Sequence, residues 1–358
     1  MSAGMKPDKA IELKNIRRIA VLRLSALGDI CMVVPVIRTL QQALPQAQIT
    51  WIISRPAYNL VEGLDGVEFI VIDKPRGPGD YLALRKRLQH ERFDVLLAMQ
   101  AALRANLIYP LIQAPLKIGF DARRARDRQD WFTNAAIPFA NEHLLDSFLA
   151  FAKTLGIENT VIDWRLPIGD AERDWARQQL AGGTGRVVIV NPAASKAERN
   201  WPAERYAEVI TQLQARGAQI ILTGGANPEE AALIQAIERQ LVIPIKNLAG
   251  QTHPKQLAAL LEAADCLLAP DTGPVHMAVA VGTPVVGLYA VAPSWLSGPY
   301  RQREYVIDHY DQAVREILGK DPQTVKWGTR VHDARAMQLI TVDEVLERLS
   351  AVLEGPAL

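Results

Sequence analysis

The sequence predicts an α/β protein built from two doubly wound, Rossmann-like domains with parallel sheets. Strand and helix patterns alternate through the first half of the chain, and the alternation starts again after Gly182-Gly183-Thr184-Gly185. A chain of 358 residues is longer than a single hydrophobic core usually supports, so two domains are expected. The strands read as continuous apolar runs, which is typical of parallel strands buried on both faces.

In the first half, apolar runs alternate with amphipathic segments. The predicted strands are Arg18–Leu24, Gln48–Ile53, Val67–Ile72 and Phe93–Ala98. The predicted helices are Asp29–Ala43, Tyr81–His90, Ala102–Gln113 and His143–Leu155. We expect them to form an N-terminal domain over residues 1–180, with helices on both faces of a parallel sheet.

The second half repeats this pattern after the glycine-rich linker. Its predicted strands are Val187–Val190, Gln219–Thr223 and Cys266–Ala269, with a further buried strand that ends near Tyr289. Its predicted helices are Ala203–Arg216, Pro228–Gln240 and Pro254–Ala263. We expect a C-terminal domain over residues 186–330. A capping box at Thr341-Val342-Asp343-Glu344 opens a last helix, 341–354, which we expect to pack back on the first domain.

Composition narrows the class of protein. A net charge of +1 gives no overall reason to expect nucleic acid as a partner. The polar segment Met1–Asn15 lacks the apolar core of a signal peptide, which predicts a cytoplasmic protein. The two cysteines, Cys31 and Cys266, lie inside apolar runs and are predicted to be buried free thiols.

One long segment without charged residues could be either a membrane-spanning helix or the core of a globular domain. No Asp, Glu, Lys or Arg occurs from Thr272 to Tyr300, a run long enough to span a bilayer. Four prolines and four glycines interrupt the run, which a membrane helix would not tolerate well. We therefore predict the core of a globular domain, with a buried helix followed by a parallel strand.

The end of the first strand supplies a candidate catalytic carboxylate. The strand leads into Arg23-Leu24-Ser25-Ala26-Leu27-Gly28-Asp29, a short turn followed by a helix. In doubly wound sheets, ligands bind beyond the C-terminal strand ends. Asp29 is therefore either a general base or only a stabilising charge at a helix N-terminus, worth about 0.3–1 kcal/mol. A dinucleotide fingerprint does not fit, because the turn has no Gly-x-Gly.

The second half carries a candidate anion site. Asp271-Thr272-Gly273-Pro274-Val275-His276 reads as a strand end, a turn and a helix start, where backbone N–H groups and the helix dipole favour a diphosphate. Lys196 and Arg199 follow the first strand of this half and so lie at the same sheet edge. An ordinary strand-turn-helix corner and solvated loop cations are the alternative interpretation.

These segments, taken together with Gly250-Gln251-Thr252, occur in the order and spacing of a known family. The chain resembles the ADP-heptose:lipopolysaccharide heptosyltransferases, glycosyltransferase family 9, over nearly its whole length. Met99-Gln100-Ala101-Ala102-Leu103-Arg104, Ala125-Arg126-Asp127 and Trp327-Gly328-Thr329 resemble the heptosyltransferase I branch, which adds the first heptose to Kdo. The resemblance implies a GT-B fold, in which two Rossmann-like domains face each other across a cleft, and an inverting reaction without a metal or other cofactor.

The resemblance also implies roles for individual residues. Asp29 would be the catalytic base. The implied donor-binding residues are Ser195, Lys196, Arg199, Thr252, Asp271, Thr272, Gly273 and His276. The implied acceptor-binding residues are Ser25, Gly28, Gln100, Arg104 and Arg126. Thr252 would lie near the adenine, although a Thr after Gly-Gln is equally suited to be a helix N-cap. Some family members have Lys in place of Arg199 and His in place of Met32.

The chemistry of such a transfer agrees with the residues present. One base must accept the proton of the acceptor hydroxyl, and the departing diphosphate must be stabilised. The sequence has no Asp-x-Asp triplet to hold a divalent cation, so cationic side chains and backbone N–H groups would have to do this. The implied partners are an ADP-heptose donor and a Kdo-lipid A or inner-core acceptor, met at the cytoplasmic face of the inner membrane by peripheral association.

A local basic cluster fits an acidic acceptor of this kind. Its members are Arg123, Arg124, Arg126 and Arg128. A solvated loop is the alternative interpretation of the cluster. Two other functions also remain at this point: a nucleotide-sugar epimerase of similar architecture, and a non-catalytic nucleotide-sugar-binding protein in which Asp29 only caps a helix.

Overall fold

A computed structural model describes residues 12–354 and divides the chain into two units at Trp164/Arg165. Each unit contains a six-stranded sheet in which every strand pairing is parallel. The predicted α/β class with two Rossmann-like sheets is therefore confirmed. The predicted cysteines are buried, and burial raises the pKa of both thiols to about 12, so neither is a nucleophile at neutral pH.

The first unit has the strand order β3-β2-β1-β4-β5-β6. Its strands are β1 (Arg18–Leu22), β2 (Gln48–Ser54), β3 (Val67–Ile72), β4 (Val95–Ala98), β5 (Leu116–Gly119) and β6 (Ala135–Ala136). Its helices are α1 (Leu27–Ala43), α2 (Arg55–Val61), α3 (Pro78–Leu88), α4 (Leu103–Asn106) and α5 (Leu144–Thr154). β1 pairs with both β2 and β4, so the loops that follow these strands lie at one edge of the sheet.

The second unit has the strand order β12-β11-β10-β7-β8-β9. Its strands are β7 (Val187–Val190), β8 (Gln219–Leu222), β9 (Lys246–Asn247), β10 (Cys266–Pro270), β11 (Val285–Tyr289) and β12 (Ile307–Asp308). Its helices are α6 (Asp170–Leu180), α7 (Ala203–Ala215), α8 (Pro228–Glu238), α9 (Pro254–Glu262), α10 (Gly273–Val281), α11 (Ser294–Ser297), α12 (Tyr310–Glu316) and α13 (Val342–Glu354). β7 pairs with β10, which brings their following loops together.

The central strands form because their residues are apolar on both faces. In β10 all five residues are buried, and in β1 only the first is not. The charge-free run from Thr272 to Tyr300 forms α10, β11 and α11, as predicted for a globular core. Among residues 12–354, no helix has both the length and the apolar character needed to cross a membrane.

One predicted helix is wrong as a continuous element. Ala102–Gln113 forms the short helix α4 and then a separate 3-10 turn at Tyr109–Leu111. Pro110 stands inside the segment, and its ring and missing N–H prevent an uninterrupted helix. The break leaves Leu103, Arg104 and Leu107 exposed on one side while Asn106 is buried on the other.

The expected domain limits also need correction. The division falls at Trp164/Arg165, so the end of the expected first domain, 165–180, belongs to the second unit. The reason is long-range packing: α6 packs on α9, and Arg173 forms an ion pair of 2.7 Å with Glu262. The glycine-rich segment at 182–185 therefore connects α6 to β7 within one unit.

The C-terminal helix differs from expectation as well. It begins at the predicted capping box, where Thr341 N–H donates to Glu344 at 2.8 Å. Its buried residues Val345, Leu346 and Leu349 belong to the core of the second unit, and α13 packs on α7. The expectation that this helix packs on the first domain is corrected, because its apolar face meets the second sheet instead.

Candidate functional site

Asp29 lies in the first turn of α1, beyond the C-terminal end of β1. Its Oδ2 atom accepts a hydrogen bond from Ala26 N–H at 3.0 Å, which closes a capping interaction at the helix N-terminus. Arg23 also donates to Oδ2. Both of these hydrogen bonds use the Oδ2 atom. The side chain is about one quarter exposed, at 23%.

Arg23 fixes the geometry of this corner. Its Nε donates to Ser25 O at 2.8 Å, another of its nitrogens donates to Met99 O, and its guanidinium lies 5.2 Å from the centre of the Phe148 ring. The guanidinium therefore ties the β1–α1 loop to the residue after β4 and holds Asp29 in place. Sequence reasoning named Arg23 only as part of the turn and gave it no role.

The sequence-predicted acceptor residues divide into three kinds. Ser25 and Gly28 lie in the same corner as Asp29, where Gly28 is buried in the first turn of α1. Gln100 has a structural task, because its Oε1 accepts from Leu24 N–H at 2.7 Å. Arg104 is exposed in α4, and Arg126 is exposed on the segment that follows β5. The structure thus places all five at the C-terminal edge of the first sheet.

The predicted arginine cluster is not uniform. Arg124 is buried, forms an ion pair with Asp121 and donates to Pro138 O at 2.6 Å. It is a structural residue and not a ligand for an acidic acceptor. Arg123, Arg126 and Arg128 are exposed. The sequence could not separate them, because burial depends on contacts with residues far away in the chain.

A basic cavity lies at the same edge of the first sheet, beyond the ends of β2 and β3. Its volume is about 780 Å³, and the cations that line it are Lys74, Arg76, Arg87 and Arg104. Asp80 also lines it, and hydrogen bonds from the Arg76 and Gly77 amides hold the pKa of its carboxyl below the usual value. Sequence reasoning missed Lys74 and Arg76, although their position directly after the strand Val67–Ile72 was a usable signal.

In the second unit, two of the predicted donor residues, Arg199 and Asp271, meet where β7 and β10 end. One nitrogen of Arg199 lies 3.2 Å from Asp271 Oδ2, and the same nitrogen donates to Asp271 O at 3.4 Å. Ser297 donates to the other carboxylate oxygen of Asp271 at 3.3 Å. The convergence of the two loops that the sequence predicted is therefore observed. Ser195 and Lys196 are exposed on the first of these loops.

The helix that follows Asp271 has an open N-terminus. Thr272 is the N-cap of α10, Gly273 is its first residue, and neither a side-chain cap nor an acidic residue occupies the first turn. The positive end of the helix dipole therefore faces the Arg199 loop without an internal carboxylate of its own. His276 is buried one turn further along the helix.

Two further features of the second unit, the N-cap of α9 and a hydrogen bond of Glu198, add to what the sequence predicted. His253, and not Thr252, is the N-cap of α9, so the alternative role for Thr252 is excluded. Thr252 follows β9, two strands along the sheet from β7. Glu198, inside the Arg199 loop, forms a hydrogen bond of 3.0 Å with His332, and this bond lowers the pKa of Glu198. Nothing local in the sequence indicated that contact.

Known proteins resemble this chain throughout. The residue pattern that describes glycosyltransferase family 9 (heptosyltransferase) matches residues 81–319. A lipopolysaccharide core heptosyltransferase, OpsX of Haemophilus influenzae, is 33% identical over 93% of this chain and 96% of its own length. The chain belongs to glycosyltransferase family 9. It is therefore a transferase of the heptosyltransferase family, as the sequence motifs implied.

Solved structures of family 9 proteins share its fold. A family 9 glycosyl transferase from Veillonella parvula covers 96% of this chain and 99% of its own, with a TM-score of 0.78 at 21% identity. The Escherichia coli heptosyltransferase WaaC with ADP-2-deoxy-2-fluoro heptose covers 93% and 99%, with a TM-score of 0.64 at 20% identity. The fold class is GT-B, and each unit described above is one of its two Rossmann-like domains.

Proposed function

We propose that this protein transfers heptose from ADP-heptose to the Kdo region of the lipopolysaccharide inner core, with inversion at the anomeric carbon and without a metal ion. The observation that carries the proposal is the pairing of Arg199 with Asp271, the residue directly before the open N-terminus of α10. A cation and a helix N-terminus at one strand-end corner suit a diphosphate. Relatives named as lipopolysaccharide heptosyltransferases support the choice of sugar and acceptor.

Arg199 supports the donor site in a second way. Its Nε atom is buried and has no hydrogen-bond partner among residues 12–354. A buried donor without a partner costs about 1–3 kcal/mol, and a bound anion would remove that cost. Lys196, exposed on the same loop, would add a second charge to the diphosphate. Ser195, Thr252, Asp271 and His276 are proposed to contact the rest of the donor.

In the proposed reaction, Asp29 accepts the proton of the acceptor hydroxyl as the hydroxyl oxygen attacks the anomeric carbon. The bond from that carbon to the diphosphate breaks, and its electron pair leaves with ADP. Arg199, Lys196 and the N-terminus of α10 stabilise the charge on the departing diphosphate. Arg23 keeps the Asp29 carboxylate oriented through its ion pair.

We propose that the acceptor binds at the C-terminal edge of the first sheet, the edge that carries Asp29. Kdo carries a carboxylate and lipid A carries phosphates, and exposed arginines bind such groups bidentately. Arg104 lines the basic cavity of about 780 Å³, together with Lys74 and Arg76. We propose that this cavity and Arg126 hold the anionic groups of the acceptor, with Ser25, Gly28 and Gln100 forming the floor near Asp29.

The decisive experiment incubates the purified protein with ADP-heptose, with and without Kdo-lipid A, and follows both products by mass spectrometry. Heptose should appear on the lipid and ADP in solution only when the acceptor is present. Consumption or isomerisation of the donor without acceptor would support the epimerase alternative. Donor binding without turnover under either condition would support a non-catalytic protein.

The same assay tests the proposed metal independence. We expect turnover to survive excess EDTA, because cationic side chains and the α10 N-terminus are proposed to replace a metal at the diphosphate. Among residues 12–354, no group of three or more His, Cys, Asp or Glu side chains is placed to hold a metal ion. Loss of activity in EDTA that magnesium or manganese restores would refute this part of the proposal.

A further inference from the structure

Three exposed apolar side chains of the first unit lie on two adjoining segments at the edge that carries Asp29. Leu103 and Leu107 are 57% and 40% exposed, and Trp131 is 68% exposed. Leu103 and Leu107 stand four residues apart, so they share one side of the α4 turn. Large apolar side chains grouped in this way indicate a binding surface more often than isolated ones do.

Hydrogen bonds hold the two segments together. Leu103 N–H donates to Asp127 Oδ2 at 2.9 Å, and Asn106 Nδ2 donates to Arg126 O at 2.8 Å. Trp131 N–H in turn donates to Arg128 O at 3.1 Å. We call Leu103, Leu107, Arg126, Arg128 and Trp131 the Trp131 surface. Its apolar residues belong to one folded feature and not to separate loops.

The charge around the Trp131 surface is positive. Within segments 103–107 and 123–131, which carry this surface, four exposed residues are arginines and two are aspartates: Arg104, Arg123, Arg126, Arg128, Asp127 and Asp130. The Arg128 guanidinium lies 4.9 Å from the centre of the Trp131 ring, which is a cation–π arrangement. Tryptophan and leucine beside arginine are the residues that anchor proteins at the interface of an anionic bilayer.

We propose that the Trp131 surface docks this protein on the surface of an anionic phospholipid bilayer. Trp131, Leu103 and Leu107 enter the interfacial region while Arg126 and Arg128 contact lipid phosphates. A second exposed apolar pair, Val242 and Ile243, lies in the other unit and has no comparable charge excess nearby. The biological role of docking rests on the proposed function, because a lipid acceptor must be reached in a membrane.

The test is co-sedimentation with large vesicles of phosphatidylethanolamine and phosphatidylglycerol, mixed at roughly three to one to resemble an anionic membrane. No donor or acceptor is added. The wild-type protein should sediment with these vesicles and much less with pure phosphatidylcholine. Trp131→Ser combined with Leu107→Ser should lower the partition coefficient at least about tenfold, because the apolar contact is lost.

Two further variants separate the contributions. Arg128→Gln should lower binding to the anionic vesicles about fivefold and leave binding to neutral vesicles unchanged. Val242→Ser combined with Ile243→Ser is the matched control, since these side chains are 91% and 58% exposed, and it should bind as the wild type does. Circular dichroism should show the same folded content in all variants, because every altered side chain is exposed.

Several outcomes would overturn the proposal. These are absence of wild-type binding to either vesicle, equal binding by the Trp131 and Leu107 double variant, or an equal loss in the Val242 control. Sedimentation velocity that shows a dimer dissolved by Trp131→Ser, without vesicle binding, would assign the surface to a second copy instead. Vesicle binding that persists while heptose transfer fails on every acceptor would refute the proposed function and leave this inference intact.

Discussion

Each sheet has a strand–turn–helix corner with an aspartate at its C-terminal edge, and the two aspartates stand at different positions. Asp29 lies inside the first turn of α1 and accepts a hydrogen bond from Ala26 at the N-cap. Asp271 stands before Thr272, the N-cap of α10, and pairs with Arg199 from the neighbouring loop. The first corner thus has its carboxylate within the helix and the second has it outside.

This difference in position changes the chemistry of each corner. In α1 the carboxylate of Asp29 already neutralises the positive end of the helix, so the corner offers a basic oxygen and little attraction for an anion. In α10 no acidic side chain occupies the first turn, so the helix end can attract an anion together with Arg199. The position of the aspartate relative to the helix N-cap therefore distinguishes the candidate base in the first corner from the candidate diphosphate site in the second.

The largest expected effect comes from removing the base. Asp29→Asn should lower kcat by about 10²–10⁴-fold, since a general base is lost, while the amide oxygen still accepts the Ala26 bond. Stopped assays with the proposed substrates measure kcat, and calorimetry should show unchanged ADP affinity. The matched control is Glu172→Gln, because Glu172 holds the same position in α6 and caps Gly169. A variant with more than about half the wild-type rate would exclude Asp29 as the base.

The second test removes the cation of the donor corner. Arg199→Ala should weaken ADP-heptose binding by about 10- to 150-fold, because a charged hydrogen bond contributes about 1.5–3 kcal/mol. The ADP-heptose affinity of Arg199→Lys should lie between those of Arg199→Ala and the wild type, because lysine keeps the charge but lacks the planar guanidinium. Arg186, paired with Asp265 at 2.7 Å in the same unit, supplies the control Arg186→Ala.

Thermal unfolding must accompany this measurement, because Arg199→Ala also removes the ion pair between Arg199 and the buried Asp271 carboxylate. A folded variant with normal donor affinity and reduced acceptor affinity would contradict the proposed division between the two corners.

The third test concerns the acceptor edge. Arg126→Ala should raise the apparent KM for Kdo-lipid A by about tenfold or more and leave the donor constant nearly unchanged, because its exposed guanidinium is proposed to meet an acidic group. Steady-state kinetics with each substrate varied in turn give both constants. The control Arg85→Ala removes an exposed arginine of α3 that does not line the basic cavity. Equal changes in both constants for Arg126→Ala would show that the two sites are not separate.

The smallest effect is expected from a substitution that makes the α10 corner resemble the α1 corner. Pro274→Asp places a carboxylate in the first turn of α10, and Pro274→Asn is the uncharged control of nearly the same shape. The Asp variant should bind ADP about two- to fivefold more weakly than the Asn variant, because its charge competes with the diphosphate for the helix end. The gap should narrow at high salt. Equal affinities at low salt would mean that the α10 N-terminus does not hold the diphosphate.

The sequence by itself determined the α/β class, the two parallel sheets and the two corners. Parallel strands buried on both faces must be apolar throughout, and turns and helix starts depend on residues close together in the chain. These local rules placed Asp29 and Asp271 at strand ends. The pairing of β7 with β10 then follows from the topology, and it brings Arg199 to Asp271.

Only the tertiary structure decided which residues of the same type are buried and which are exposed, and which elements pack together. Arg124 and Arg126 are two positions apart, yet one is buried in an ion pair and the other is exposed. The amphipathic helix Val342–Glu354 was predicted correctly, but its partner was not, because an apolar face does not specify which sheet will cover it. Burial, ion pairing and packing partners depend on residues brought together from distant parts of the chain, and no local pattern encodes them.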